Sequence, residues 1–494
     1  MLKPIIGAPN EHSENTPLHP AGTSRINCLI ATLIISLFLS GCEIKSAQIR
    51  QPALEGTDNG EVFLYTRPFQ QEADRLRFRL EGAFAVRDDG MLFPLSAALN
   101  EIKSRGMKRQ RLLASGRLPQ GNYTGFSFKS SGAFLETEEG EAALLVTAEP
   151  AFTEFPFSIV KERSYVMSLE FNYMKSIRQG VGFSPSFAIS FPDRPVVNLL
   201  GYVANYDSDN ITVIDKREMQ VIGVMTTGKG PAGMAFDRLL KRAYVALSED
   251  DSVDVIDITA GGRINRIRLN PGDKPREPAL APDGSLLITA NSGSDSISII
   301  DPSAYIELER IPAGNGPHSV AVDPAGRRAY VFNTISGTIS VIDLAGRSVT
   351  ATISTEPGPL RGQFNRDGSR LYVIHEWSSY LTIIDPFSLS VTGRIRVGMD
   401  AVALKLDTRT NLLYVGKKDN MLVEVYDPLS LLPIDYIKIE GSPSYITIDN
   451  EGNNLYLVLP EMNTLLVIDI ISKKLVAEID AGVMPSWVTL MGER

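Results

Sequence analysis

Cysteine is scarce in this chain: only Cys28 and Cys42 occur, both close to the N-terminus. Beyond them no disulfide, cysteine metal site, iron–sulfur cluster or haem attachment site can be built, so stability must come from apolar cores. Histidine is nearly as rare. Only His318 and His375 follow residue 43, which excludes the common three-histidine zinc site. Positive charge is in deficit, with 49 Lys and Arg against 58 Asp and Glu. A net charge of −9 argues against a polyanion binder, so no nucleic-acid partner is expected. No H-E-x-x-H, G-x-S-x-G or P-loop pattern appears, and neither a metal nor a cofactor is expected. A Ser-His-Asp triad stays open, because its members can lie far apart in sequence, but nothing marks the serine. The acidic stretches "NYDSDN" (205–210) and "SEDDS" (248–252) lack the glycine and distal glutamate of a calcium loop and read as turns.

Long apolar runs are also rare. The one that stands out, "INCLIATLIISLFLS" (26–40), follows Arg25 and is short for a membrane span. It closes on Leu39-Ser40-Gly41-Cys42, which resembles the bacterial lipobox. The resemblance implies a signal peptide over 1–41 and acylation of Cys42, with palmitate among the chains. Residues 42–58 would then form a polar tether. Several acyl chains anchor stably where one does not. Glu43 stands where an inner-membrane retention signal would place Asp, which favours the outer membrane, on its periplasmic or surface side. An ordinary secretory signal with a chance cysteine is the alternative.

From Leu200 onward the chain repeats. An aliphatic–Ile–Asp signature or its equivalent ends at Asp215, Asp257, Asp301, Asp343, Asp385, Asp427 and Asp469, every 42 residues with one interval of 44. Ten residues before each Asp a second apolar stretch ends: "YVAN", "YVAL", "ITAN", "YVFN", "YVIH", "YVGK" and "YLVL". Gly-Pro or Gly-x-x-Pro turns precede most units. Each unit reads as four short strands, the mark of a propeller blade. The first unit lacks its opening strand and the chain ends on an unmatched one, "PSWVTLMG" (485–492). That strand should complete blade one and close a seven-bladed ring over residues 196–494. The seven Asp residues are expected to cap the turns between third and fourth strands.

The pattern "YVAN…ITVID…G.GP.G.A.." resembles the YVTN family of seven-bladed propellers over about residues 197–494. The resemblance implies a cell-surface or periplasmic protein, often without assigned chemistry. Quinone-dependent propeller dehydrogenases carry a tryptophan pattern in every blade, and Trp377 and Trp487 cannot supply it. Ahead of the ring, residues 59–195 alternate in short apolar runs and read as an antiparallel β-sandwich, so the chain is all-β. Leu118-Pro119-x-Gly121-x-Tyr123 resembles a turn of transthyretin-like sandwiches. The basic stretch "EIKSRGMKRQR" (101–111) reads as a solvated loop, or as a contact for lipid headgroups or an acidic partner.

One unit departs from its sisters. Blade five carries His375, Glu376, Trp377 and Tyr380 where the others carry small polar residues. His318 and Arg361 follow the turns entering blades four and five, Arg276 and Glu277 enter blade three, and Tyr445 and Trp487 enter blades seven and one. All of these fall on one face of the disc, and some should line the central channel. Loops on a rigid scaffold commonly carry function, and aromatic and Arg residues are the usual hot spots. The favoured reading is a monomeric envelope binding or scaffolding module that engages an envelope protein or a glycan. The rival is a lactonase-like hydrolase using His375, Glu376, His318 and Arg361. Packing of the two tryptophans between blades is the structural alternative. For the anchor, Cys42→Ser is expected to abolish incorporation of labelled palmitate and release the protein from membranes. Continued labelling would refute acylation at Cys42.

Overall fold

The computed structural model describes residues 59–450 and 453–492. The signal, Cys42 and the tether lie outside the described residues.

Seven four-stranded antiparallel sheets follow one another from Leu200. In blade four the strands are Pro317–Val322, Arg328–Asn333, Thr338–Asp343 and Ser348–Ser354. Blade one is assembled from both ends of the repeat array: Pro485–Leu490 pairs antiparallel with Leu200–Asn205, ahead of Asn210–Asp215 and Gln220–Thr226. The ring is therefore closed by the C-terminal strand.

Alternation along the second strand explains the packing. Tyr202 and Ala204 face blade two while Val203 faces blade seven. Each of seven apolar clusters joins two adjacent blades, and together they complete the circle. The tyrosine of the "YV" signature (Tyr202, Tyr244, Tyr330, Tyr372, Tyr414 and Tyr456) is buried each time it occurs. All seven signature aspartates accept hydrogen bonds from backbone amides two or three residues on, as Asp301 does from Ser303 at 2.8 Å. The acidic loops have a second structural use. Asp209, Asp251 and Asp295 accept from the amides of Gly230, Gly272 and Gly316 at the start of the next blade. Those carboxylates are spent on turns, in keeping with the reading of these stretches.

Residues before the ring form a twelve-stranded sheet, ten strands on one hydrogen-bonded path and two branching from it, around a single core. Most pairs are antiparallel, but two are parallel: Asn59–Thr66 with Ser164–Phe171, and Gly182–Phe183 with Gly140–Val146. The antiparallel expectation holds for the other pairs, and these two are its exceptions. A parallel pair needs a long crossover, and the rest of this domain supplies one between Thr66 and Ser164. The Leu118–Tyr123 turn has a physical basis: the Tyr123 hydroxyl donates to the Pro119 carbonyl at 2.9 Å, fixing the corner with a buried ring.

The basic stretch is solvated at Lys103, Arg105 and Lys108, but its C-terminal end at Arg109 and Arg111 is docked. Its acidic partner is the chain's own seventh blade. Arg111 makes two bonds to Asp480, at 2.9 and 3.1 Å, and Asp480 also accepts from the Leu112 amide. Arg109 pairs with Glu478. Between these arginines, Gln110 accepts from the Val221 amide at 2.7 Å and donates to its carbonyl at 3.2 Å. The side chain thereby mimics a neighbouring strand along the edge of blade one, where unpaired backbone groups would otherwise invite association. Tyr65 and Val166 add apolar contact to the cluster joining blades seven and one. The pre-ring domain thus braces the ring at the place where the two chain ends meet.

Deleting residues 485–494 is expected to lower the melting temperature by well over 10 °C, because a whole strand and its share of two apolar clusters are lost. An unchanged transition would refute closure by this strand.

Candidate functional site

In each blade the start of strand one lies beside the end of strand two, as Pro359 does beside His375. The loops entering strand one and the loops between strands two and three therefore share a face. A register shift follows the turn in at least six of the seven first strands, for example between Pro359 and Arg361. Such bulges re-aim the side chains that follow them. Two positions after the turn proline, or the Ala401 that replaces it, stand Gly233, Glu277, Ser319, Arg361, Ala403, Tyr445 and Trp487. This column of the repeat contains four of the residues singled out from sequence.

Those four converge. Arg361 of blade five crosses to Glu277 of blade three, its Nε lying 2.9 and 3.1 Å from the two carboxylate oxygens. Its other arm donates to the Ser444 carbonyl of blade seven at 2.9 Å. The guanidinium also sits over the rings of Tyr445 and Trp487, 5.0 and 5.7 Å from their centroids. These two rings lie 3.9 Å apart. Burial opposes the charge on Arg361, but the Glu277 carboxylate beside it raises its pKa above the ordinary arginine value. The group ties blades one, three, five and seven together across the channel. A buried pair of this kind, hydrogen-bonded on several sides, is costly to break and adds specificity more than net stability.

His318 of blade four stands beside this pair, with Nδ1 3.7 Å from a Glu277 oxygen. Burial, and then the charges of Arg276 and Arg361, hold its pKa well below the ordinary imidazole value. It is neutral at pH 7, and its Nδ1 has no hydrogen-bond partner. Arg276 lies exposed at the mouth.

The "HEW" residues divide. His375 is not a surface ligand. It is 1% exposed and ends the second strand of blade five, where Asn205, Asn291 and Asn333 stand in three sister blades. Those asparagines donate to hydroxyls on the third strand, as Asn333 does to Ser340 at 2.9 Å. His375 instead places Nδ1 3.1 Å from the Tyr380 carbonyl. This leaves its Nε2 and the buried Thr382 hydroxyl, which takes the place of Ser340, without partners. The ladder between strands two and three in this blade also ends at Val373–Thr382. Burial pushes the histidine's pKa down to about 4. Desolvation is the chief cause, and no hydrogen bond or ion pair links His375 to His318 among the described residues.

Glu376, Trp377 and Tyr380 are exposed. Trp377 is 48% exposed and rests one side of its ring against Gly358, so it is not an inter-blade packing residue. It has company that sequence reading missed. Ile335 of blade four, Met399 and Met421 of blade six, Met462 of blade seven and Met484 of blade one are all exposed on the same loops, Ile335 at 67% and Met399 at 61%. An apolar arc therefore runs around blades four to seven and reaches blade one. The signal was available in the sequence as methionine and isoleucine in loops that carry Asp and Ser in blades one to three.

Fold and site together define an all-β seven-bladed propeller with an ion-paired channel and an apolar loop arc. A family model described as YNCE-like beta-propeller matches residues 200–407. No curated protein matches the chain. Solved structures similar to it include hydrazine synthase of Kuenenia stuttgartiensis, at 21% identity over 55% of this chain and 92% of that one, with a TM-score of 0.50. A protein from Bacteroides fragilis proposed to be a 6-phosphogluconolactonase matches at 15% identity over 60% and 99%, with a TM-score of 0.51. A functionally unknown protein from Desulfotomaculum acetoxidans matches at 13% identity over 59% and 98%, with a TM-score of 0.52. At these identities the likeness shows the fold alone.

The buried histidine yields a pH prediction. Its pKa is about 6.5 when unfolded and about 4 when folded, so in that window the unfolded chain holds the extra proton. Stability is full above pH 6.5 and falls as pH drops toward 4. At pH 5 this histidine alone accounts for a loss of about 2 kcal/mol. His375→Asn is expected to remove that slope and to bond Thr382 as the sister blades do. Denaturant unfolding at pH 7 and pH 5 tests this, and an undiminished slope in the variant would refute it.

Proposed function

We propose that this chain is a cell-envelope binding module whose propeller docks a protein partner on the apolar arc of its loop face. The observation that carries this reading is the run of exposed Ile335, Trp377, Met399, Met421, Met462 and Met484 along one side of a rigid disc. Exposed apolar side chains gathered on one face of a well-packed protein suit an interaction site, and flexible thioethers suit an adaptable one. A protein fits better than a glycan, because sugars need many hydrogen-bonding groups and the arc offers chiefly aliphatic and aromatic ones. The lipobox-like "LSGC" supports an envelope location.

A second reading, a lactonase-like hydrolase at the channel mouth, is favoured by one feature: the neutral His318 with an unused Nδ1 beside Glu277. Against it, Arg361 and Glu277 already neutralise each other, and His375 is buried away from the surface.

One comparison separates the readings. Trp377→Ala and Met399→Asp are expected to melt like the parent, since both residues are exposed. Each should weaken capture of a partner from envelope extract, by roughly thirtyfold for a desolvated Trp. His318→Asn should leave capture unchanged. Parent-like capture by both arc variants would refute the docking reading. Lactone hydrolysis lost in His318→Asn would establish the enzyme instead.

A further inference from the structure

A cleft of about 1410 Å³ lies between the pre-ring domain and the outer strands of blades one and two. Its charge is opposite in sign to that of the protein. Seven lining residues are basic and four are acidic, while the chain carries a net −9.

The acidic residues are all engaged. Glu61 pairs with Arg117 at 3.0 Å and Glu162 with Arg263 at 3.8 Å. Asp250 pairs with Arg266 at 3.2 Å and also accepts from the Lys229 amide. Asp209 accepts from the Gly230 amide. Arg163, Arg194 and Lys229 also line the cleft, and among the described residues their side chains have no ion pair. They come from three separate segments: the turn before Ser164–Phe171, the linker into the ring, and the turn before blade two. The cleft is apolar as well, through Phe191, Val197, Ile222 and Met225, and Phe191 is 52% exposed.

Unpaired cations beside the exposed Phe191 and the half-buried Val197 and Ile222 suit one ligand chemistry, a phosphate-bearing amphiphile. Arginine forks match phosphate oxygens, and the apolar side chains cover the attached hydrocarbon. We propose that this cleft binds the anionic phosphate headgroup of a membrane lipid. Its position agrees. The Glu162 amide donates to the Asn59 carbonyl and the Glu61 amide to the Arg163 carbonyl. The rim of the cleft is thus bonded to the strand at which the segment read as a membrane tether joins the domain. The inference is independent of the loop-face reading, since none of the arc residues lines this cavity.

Full-length protein can be titrated calorimetrically with dihexanoyl phosphatidylglycerol below its micelle-forming concentration, with dihexanoyl phosphatidylcholine, and with inorganic phosphate. One phosphatidylglycerol per chain is expected, with little binding of phosphatidylcholine and weaker binding of phosphate. Added salt should weaken the interaction. Arg163→Gln combined with Arg194→Gln should reduce affinity at least ~10-fold, and Lys229→Gln, from the propeller wall, should reduce it independently. All three side chains are exposed, so melting temperatures should not change. Failure to bind phosphatidylglycerol, equal binding of phosphatidylcholine, or undiminished binding by the variants would overturn the proposal. Phosphate binding as tight as that of the lipid would assign the site to the free anion and overturn the headgroup assignment.

Discussion

The burial of each blade against its two neighbours is the constraint on which everything else depends. A four-stranded blade is apolar on both faces, as the completely buried second strands show, so it cannot exist alone. Seven inter-blade clusters satisfy seven blades only if the last meets the first. Blade one, built from Leu200–Asn205 and Pro485–Leu490, therefore holds the whole ring shut. Arg111, Arg109 and Gln110 brace the rim at this seam, on blades seven and one.

Closure also explains the channel. A ring of identical units projects the same repeat position inward from every blade, so residues far apart in sequence face one another at short range. Nature of the side chain then decides what happens there. Glu277 and Arg361 neutralise each other, Tyr445 and Trp487 stack beneath the guanidinium, and Gly233 lets the backbone of Arg276 and Glu277 come close. The mouth is thereby committed to structure, while the loops around it are free to vary. That division of labour favours recognition on the rim of the face over chemistry at its centre.

The pre-ring domain does more than precede the propeller. By docking beside the seam it shields an edge strand and creates a cleft whose walls belong to both parts. Cations surplus to internal pairing persist there in an acidic protein. Such placement costs stability through like-charge repulsion, and a negatively charged ligand would relieve it.

The sequence alone determined the seven blades, the closing strand and the turn-capping aspartates, because these rest on local periodicity repeated at a fixed interval. It also picked out Trp377 as different from its counterparts. Tertiary structure decided what those differences mean. His375 looked like a loop ligand, yet its place at the end of strand two turns its ring into the blade, a matter of one residue in register. Arg109 and Arg111 read as a solvated basic run or as a contact for an acidic partner, and docking brought Glu478 and Asp480 to them from the far end of the chain. The exposed Met399, Met421, Met462 and Met484 lie in four separate loops and come to one face only when the disc closes. Long-range contacts of this kind leave no local periodicity in the sequence, and only the folded ring brings their partners together.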